Sequence, residues 1–315
     1  MTMSKAWLGI ITSLTMGTCL LAGCGTTASV ASSSPTPIHI TDDLHHTITL
    51  KKAATRIVTL EPSNAEIALD LGLKSRMVGT DQATFEYTPS PWHHQLHGIP
   101  NIGPSYPGIS VEKIVAAKPN LVIATTGIKG LGALARFHIP VLVLQPTSIR
   151  GIYHDILLVG RATGKTAQAR ATVAHMKQQI AAIEQKVRRV NTRPTVFYDL
   201  GGLYTAGPHT FLNSLIDMAG ATNVGAQMST QSYPQVTAEQ VVKANPDDIL
   251  IDPESGTTVS TEESISGFSA ITAVKTGHVY LVPNSSYVNE PSPALVMGLK
   301  ELVTLLHPQL KLAAQ

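Results

Sequence analysis

The sequence predicts an α/β fold of two lobes, each built on a mainly parallel sheet, bridged by one long α-helix. Three observations predict it. The stretch "SVEKIVAAKPNLVI" (Ser110 to Ile123) returns as "TAEQVVKANPDDILI" (Thr237 to Ile251), with Glu112 matching Glu239 and Pro119 matching Pro246 at one offset, 239 − 112 = 246 − 119 = 127. Short β-branched runs alternate with helical patterns on both sides of the chain's midpoint, which implies a parallel sheet in each half. Between the halves, "TAQARATVAHMKQQIAAIEQKVRRV" (Thr166 to Val190) contains neither Gly nor Pro. Its Val173, Met176, Ile180, Ile183, Val187 and Val190 recur at three- and four-residue steps, the stripe of an amphipathic helix. At about 1.5 Å per residue it reaches on the order of 35 Å, enough to run the height of both lobes. A coiled-coil dimer arm is the weaker choice, because the heptads are so few.

The elements follow in order. "RIVTL" (Arg56 to Leu60) is a strand, and "EPSNAEIALDLG" a turn and helix with Ser63 or Asn64 as cap and Gly72 as stop. "MVGT" (Met77 to Thr80), "LVIATT" (Leu121 to Thr126) and "VLVLQ" (Val141 to Gln145) complete the first sheet. The second has "TVFYDL" (Thr195 to Leu200), the helix "TFLNSLIDMAG", then "DILID" (Asp248 to Asp252) and "HVYLV" (His278 to Val282). In the repeated unit, Ser110 and Thr237 cap a helix and a Glu in the first turn suits the positive end of its dipole. Pro then stops the helix before a buried strand.

The amino terminus has the layout of an export signal. Lys5 precedes an apolar run from Ala6 to Ala22, and "LAGC" (Leu21 to Cys24) ends it. Cys24 at that place favours a lipidated, cleaved lipoprotein over an uncleaved anchor, and the uncharged Gly25 to Pro37 suits a flexible tether. The expected divisions are a signal over 1–23, a tether over 24–37, one lobe over 38–165, the bridging helix over 166–192 and the second lobe over 193–315. Cys19, the only other cysteine, leaves with the signal, so the mature chain has no pair to oxidise and is held by packing.

Composition excludes several functions. From Cys24 to Arg193 there are 18 Lys and Arg against 10 Asp and Glu, 18 − 10 = +8; from Pro194 onward there are 4 against 11, 4 − 11 = −7, with no Arg. Neither half has the arginine–aromatic clusters of a nucleic-acid binder. "GRATGKT" (Gly160 to Thr166) puts three residues between its glycines where a phosphate loop needs four, and it reads as a helix ending at Gly164. No GxSxG elbow or spare Cys nucleophile marks an enzyme. His93, His94 and His97 invite a divalent metal, but nothing has the spacing of a structural zinc site, and a solvated polar segment is the simpler reading.

Several blocks carry a resemblance. "ITDDLHHTITLKKAATRIVTLEPSNAEIALDLG", "SVEKIVAAKPNLVIA", "LYTAGPHTFLNSLIDMAGATNVG", "YPQVTAEQVVKANPDDILI" and "YVNEPSPALVMGLKELVTLLHP" resemble, in order, the substrate-binding lipoproteins of iron-siderophore, haem and cobalamin ABC importers, over about Ile38 to Pro308. The resemblance implies two Rossmann-like lobes bridged by one helix, with the ligand cleft between them. It implies an extracytoplasmic protein, lipid-anchored through Cys24 to the outer face of the cell membrane, serving as a monomer a permease dimer and its ATPase. It implies that Glu112 and Glu239, one per lobe, dock on permease arginines; each also favours its own helix N-terminus.

In open α/β sheets ligands lie beyond the carboxyl ends of the strands. That rule, with the aromatics and polar groups that collect there, nominates Pro62, Ser63, Tyr87, Trp92, Tyr106, Tyr204, Tyr233, Asn284 and Tyr287 as ligand-binding residues. With no Arg after Arg193, half the cleft lacks the forked contacts that anionic chelates prefer. A cobalamin-type corrinoid or a ferric hydroxamate siderophore, neutral or cationic, fits as transported ligand, and no resident cofactor is expected. The "EPSPALVMGLKELVTLLHP" ending resembles the cobalamin-binding members slightly more. Two alternatives stay open: a zinc or manganese carrier, and a haem-binding member of the same family.

Overall fold

The computed structural model describes residues 36–89 and 91–312; the signal segment, Cys24 and nearly all of the expected tether lie outside the described residues. Described residues begin with a hairpin of β1 (Ile38–Thr41) and β2 (Thr47–Leu50), antiparallel, which the strand pattern did not reveal. Its turn is built by Asp42, whose Oδ1 accepts from the amides of Leu44 at 3.0 Å and His46 at 2.8 Å.

The first sheet holds β3 (Ile57–Thr59), β4 (Met77–Thr80), β5 (Leu121–Ala124) and β6 (Val141–Val143), all parallel, in the order β4-β3-β5-β6. The second holds β7 (Thr195–Asp199), β8 (Thr222–Asn223), β9 (Asp248–Ile251) and β10 (Val279–Leu281), again parallel, in the order β8-β7-β9-β10. Both lobes therefore wind the same way: the first strand lies inside, the second goes to one edge and the last two to the other. Strands β5 and β9 start at Leu121 and Asp248, and 248 − 121 = 127, the offset of the sequence repeat.

The helices that feed those strands are capped as their sequences require. Ser110 Oγ accepts the Lys113 amide at 3.4 Å ahead of the helix Val111–Ala116. Thr237 forms a full capping box with Gln240 ahead of Ala238–Ala244, at 3.3 Å and 2.8 Å. Glu112 and Glu239 lie in the first turns of these two helices and are exposed.

Side-chain alternation divides the core into three. Ile57, Leu121, Ile123, Val196, Tyr198 and Leu250 face a large shared core that also contains the inner stripe of the bridging helix. Their strand neighbours Val58, Val122 and Ala124 face a separate core on the first lobe's outer side, and Phe197, Ile249 and Ile251 another on the second's. Period-two alternation thus buries both faces of each short strand.

The bridging helix spans Thr166–Val187, 22 residues or about 33 Å, and buries Ala169, Val173, Met176, Ile180, Ile183 and Val187. Val190 falls beyond its end and is half-buried, so the stripe is one residue shorter than the sequence suggested. It packs on the helix Ile149–Thr163 of the first lobe and on Leu295–Leu306 of the second. Gly164 closes the first of these at φ 70°, so "GRATGKT" is a helix end and not a phosphate loop. Among the described residues no helix is long and apolar enough to cross a membrane.

Candidate ligand cleft

The site begins at the carboxyl ends of β3 and β4. Glu61, two residues beyond the end of β3, adopts φ 100°, a conformation that costs a non-glycine residue about 1–3 kcal/mol and persists only where surroundings enforce it. The enforcement is visible: the Glu61 amide donates to Asp81 Oδ1 at 3.1 Å. Pro62 then opens the helix Pro62–Asp70 as its first residue, and Glu61, not Ser63 or Asn64, occupies the cap position. The two expected caps are used otherwise: Asn64 Nδ2 donates to the Leu60 carbonyl at 2.6 Å, and the Ser63 amide donates to Glu290 Oε2 at 3.1 Å.

Asp81, directly after β4, organises the next wall. It caps the helix Gln82–Tyr87 and accepts from Thr84 Oγ1 at 2.5 Å and from Ser105 Oγ at 2.7 Å. Ser105 also reaches Glu61 at 3.3 Å. That short helix carries Tyr87 to the cleft, 42% exposed, and Tyr106 stands beside it, 73% exposed. From the second lobe comes Glu254, after β9, whose Oε1 accepts from Ser285 at 2.9 Å and Ser286 at 3.1 Å. Glu290 follows the short helix Ser285–Asn289.

These groups enclose a cavity of about 460 Å³ between the lobes, lined by Glu61, Glu86, Tyr87, Tyr106, Glu254 and Glu290, with Pro62, Gln82, Ala83, Pro104 and Ser105 completing it. It holds no Lys or Arg. The crowding of acidic groups raises the carboxyls themselves. Burial, then the repulsion of Glu61, Glu254 and Asp81, pushes the Glu290 carboxyl up to about 8. Burial and Asp81 raise Glu61. Burial and Glu290 hold Glu66, just behind, well above the usual carboxylate range. Among the described residues that line the cavity, none offers negative charge a cationic partner.

The nine nominated residues separate. Pro62, Tyr87 and Tyr106 line this cavity, and Ser63 supports it from behind through Glu290. Tyr204 and Tyr233 stand on loops beside the carboxyl end of β7, 48% and 49% exposed, and do not line it. Asn284 donates its amide to Glu301 at 3.2 Å. Trp92 lies elsewhere: it is 6% exposed, belongs to the shared core and lines a second cavity of about 930 Å³. That cavity lies against the bridging helix and the helix Leu295–Leu306, and it includes Tyr287, His175 and Met297. Trp92 follows the cleft loop in sequence, but as the largest apolar side chain of its segment it turns inward. Glu61 and Glu254 fall in the strand-end loops that the sequence nominates, 61–63 and 252–255, though neither was chosen as a ligand-binding residue, and Glu290 lies outside those loops.

His93 and His94 lie on the short 3₁₀ turn His93–Leu96, and His97 follows it, all three exposed. Among the described residues no group of three or more His, Cys, Asp or Glu side chains could hold a metal ion.

The pattern of the family described as periplasmic binding protein matches residues 57–285, which takes in both sheets and the cleft. The chain belongs to the periplasmic binding protein family. Its members are binding proteins, not enzymes, and a substrate-binding role in ABC transport follows for this chain. A cobalamin-binding protein of Halobacterium salinarum is 32% identical over 281 residues, 86% of this chain and 74% of that protein. An uncharacterized ABC transporter substrate-binding lipoprotein of Bacillus subtilis, YvrC, is 29% identical over 321 residues, 96% of this chain and 98% of the relative. Among solved structures, the periplasmic heme-binding protein RhuT of Roseiflexus superposes with a TM-score of 0.71 at 25% identity, covering 81% of this chain and 99% of that one.

Proposed function

We propose that this periplasmic binding protein captures a neutral or positively charged metal chelate between its lobes, a cobalamin-type corrinoid ahead of a ferric hydroxamate, and delivers it to an ABC permease with its ATPase. One observation carries the reading: an inter-lobe cavity with two exposed tyrosines and four glutamates, and no Lys or Arg. Tyr87 and Tyr106 offer flat apolar faces with a polar tip, suited to the edge of a macrocycle or chelate. The glutamates would repel citrate or catecholate complexes and would leave the propionates of haem without a cation. The cobalamin-binding relative at 32% identity supports the corrinoid.

Glu112 and Glu239 are proposed to dock on the permease, since matched exposed carboxylates on equivalent helices set an orientation more than an affinity. Cys24 is proposed to carry the lipid that keeps the protein on the outer face of the membrane, and a diacylated residue suffices for that. Retention there raises the effective concentration at the permease.

The test is calorimetric titration of the full chain with cyanocobalamin, a ferric hydroxamate, ferric enterobactin, haemin and zinc. Saturable one-to-one binding of the corrinoid or hydroxamate is expected. Binding of zinc alone, lost when His93 and His97 are both changed to Ala, would replace this reading with a metal-ion carrier.

A further inference from the structure

Two contacts tie the lobes together beside the cleft. The Ser63 amide, at the start of the helix Pro62–Asp70, donates to Glu290 Oε2 of the second lobe at 3.1 Å. One turn further along the same helix, Glu66 accepts a hydrogen bond from Ser292 Oγ of the second lobe. Glu66 and Ser292 are both fully buried, and Glu66 Oε1 has no partner. The Ala294 amide donates to Ser292 Oγ at 3.0 Å, which fixes that hydroxyl at the head of the helix Leu295–Leu306. Both contacts thus join the helix Pro62–Asp70 of the first lobe to the connection between the helices Ser285–Asn289 and Leu295–Leu306 of the second.

We propose that the Ser63–Glu290 and Glu66–Ser292 contacts form a latch between the lobes, engaged while the two carboxyls carry a proton and released as they ionise. The groups that face Glu290 are all acidic: Glu61 and Asp81 from the ends of β3 and β4, Glu66 from the helix behind, and Glu254 from the end of β9. The ring of Tyr287 feels Glu66 and Glu301 from the remaining side. No Lys or Arg lines the cavity to offset a second or third charge there. Burial and the neighbouring carboxylates oppose the ionised forms of Glu290 and Glu66, and they outweigh the Ser63 and Ser292 hydrogen bonds that favour those forms. Repulsion among these carboxylates acts across the lobe boundary, so its relief is separation of the lobes. Separation would widen the cavity of about 460 Å³ that the two lobes line. Glu290, raised to about 8, places the transition in mildly alkaline water.

The test needs no ligand and so stands apart from the proposed cargo. Amide hydrogen exchange of the full chain, corrected for the intrinsic pH dependence of exchange, follows the Ser63 amide from pH 6 to pH 9. Its protection is expected to fall by up to about tenfold per pH unit as pH rises toward the Glu290 value of about 8 and to level off above it, while the β5 and β9 amides hold. Glu290→Gln accepts the same hydrogen bond without ionising, and should keep Ser63 protected at both pH values. Constant protection in the native chain overturns the latch, as does an equal fall in Glu290→Gln. Should that variant fold poorly, Glu66→Gln gives the second reading, with a weakened pH response expected and an unchanged one counting against the proposal.

Discussion

Gly160 lies directly against Ala169: a Cβ placed on Gly160 would stand 2.4 Å from the Ala169 Cβ and 3.3 Å from the Lys165 carbonyl oxygen. This is where the helix Ile149–Thr163 meets the first turn of the bridging helix, and the two backbones approach because one residue has no side chain. The glycine that resembled part of a phosphate loop is a packing contact. Gly160→Ala should cost about 1–3 kcal/mol through overpacking, read as a lower urea midpoint with an unchanged slope. Ligand affinity should not change, because the contact is remote from the cleft residues.

The carboxylates predict an unusual pH dependence of stability. Glu290 is raised to about 8 and Asp155 to about 9, the second by burial and by Asp43 beside it. A carboxyl whose folded value exceeds its unfolded one binds its proton more tightly when folded. Stability is therefore full below the unfolded value and falls as pH rises through the folded value. Tm should drop by several degrees between about pH 5.5 and pH 8.5, measured calorimetrically at fixed ionic strength. Asp155→Asn should flatten part of that slope, and a Tm rising over this range would contradict the assignment.

Thr237 and Ser110 do the same work in the two lobes with different completeness. Thr237 has a reciprocal partner in Gln240, whereas Ser110 Oγ is 3.4 Å from its amide. Thr237→Ala should cost about 1 kcal/mol and Ser110→Ala less, with thermal melts ranking the two.

Much of this was legible in the chain, for identifiable reasons. Ser110, Pro119, Thr237 and Pro246 exposed the repeat because capping and helix termination are local chemistry, set within a few residues. The bridging stripe was legible because 3.6-residue periodicity is also local. The hairpin β1–β2 was not: its strands are four residues each, too short to show a pattern, and their pairing rests on a cross-strand ladder and the Asp42 turn. Strand β8, two residues long, has no pattern to read. In the cleft, Tyr87 and Tyr106 followed from the strand-end rule. Trp92 did not obey it, because the direction of a loop side chain is decided by tertiary packing. The acidity of the site depended on Glu61, Glu254 and Glu290 converging from positions up to 290 − 61 = 229 residues apart, which no local pattern carries.

The docking role proposed for Glu112 and Glu239 separates from ligand capture. Changing both to Ala should leave calorimetric affinity for the chelate intact while lowering ligand uptake by cells about tenfold or more. Loss of affinity in that double variant would mean the two helices act through the fold and not at the permease.

The most direct test of the central claim is the titration of cyanocobalamin into the native chain and into Tyr87→Ala and Tyr106→Ala, each first shown to melt like the native protein. One-to-one binding, weakened about tenfold or more in each variant, is the predicted result and would place the ligand between the lobes. Affinity undiminished in both variants would contradict the account, because the ligand would then lie away from the cavity that Tyr87, Tyr106 and the four glutamates define.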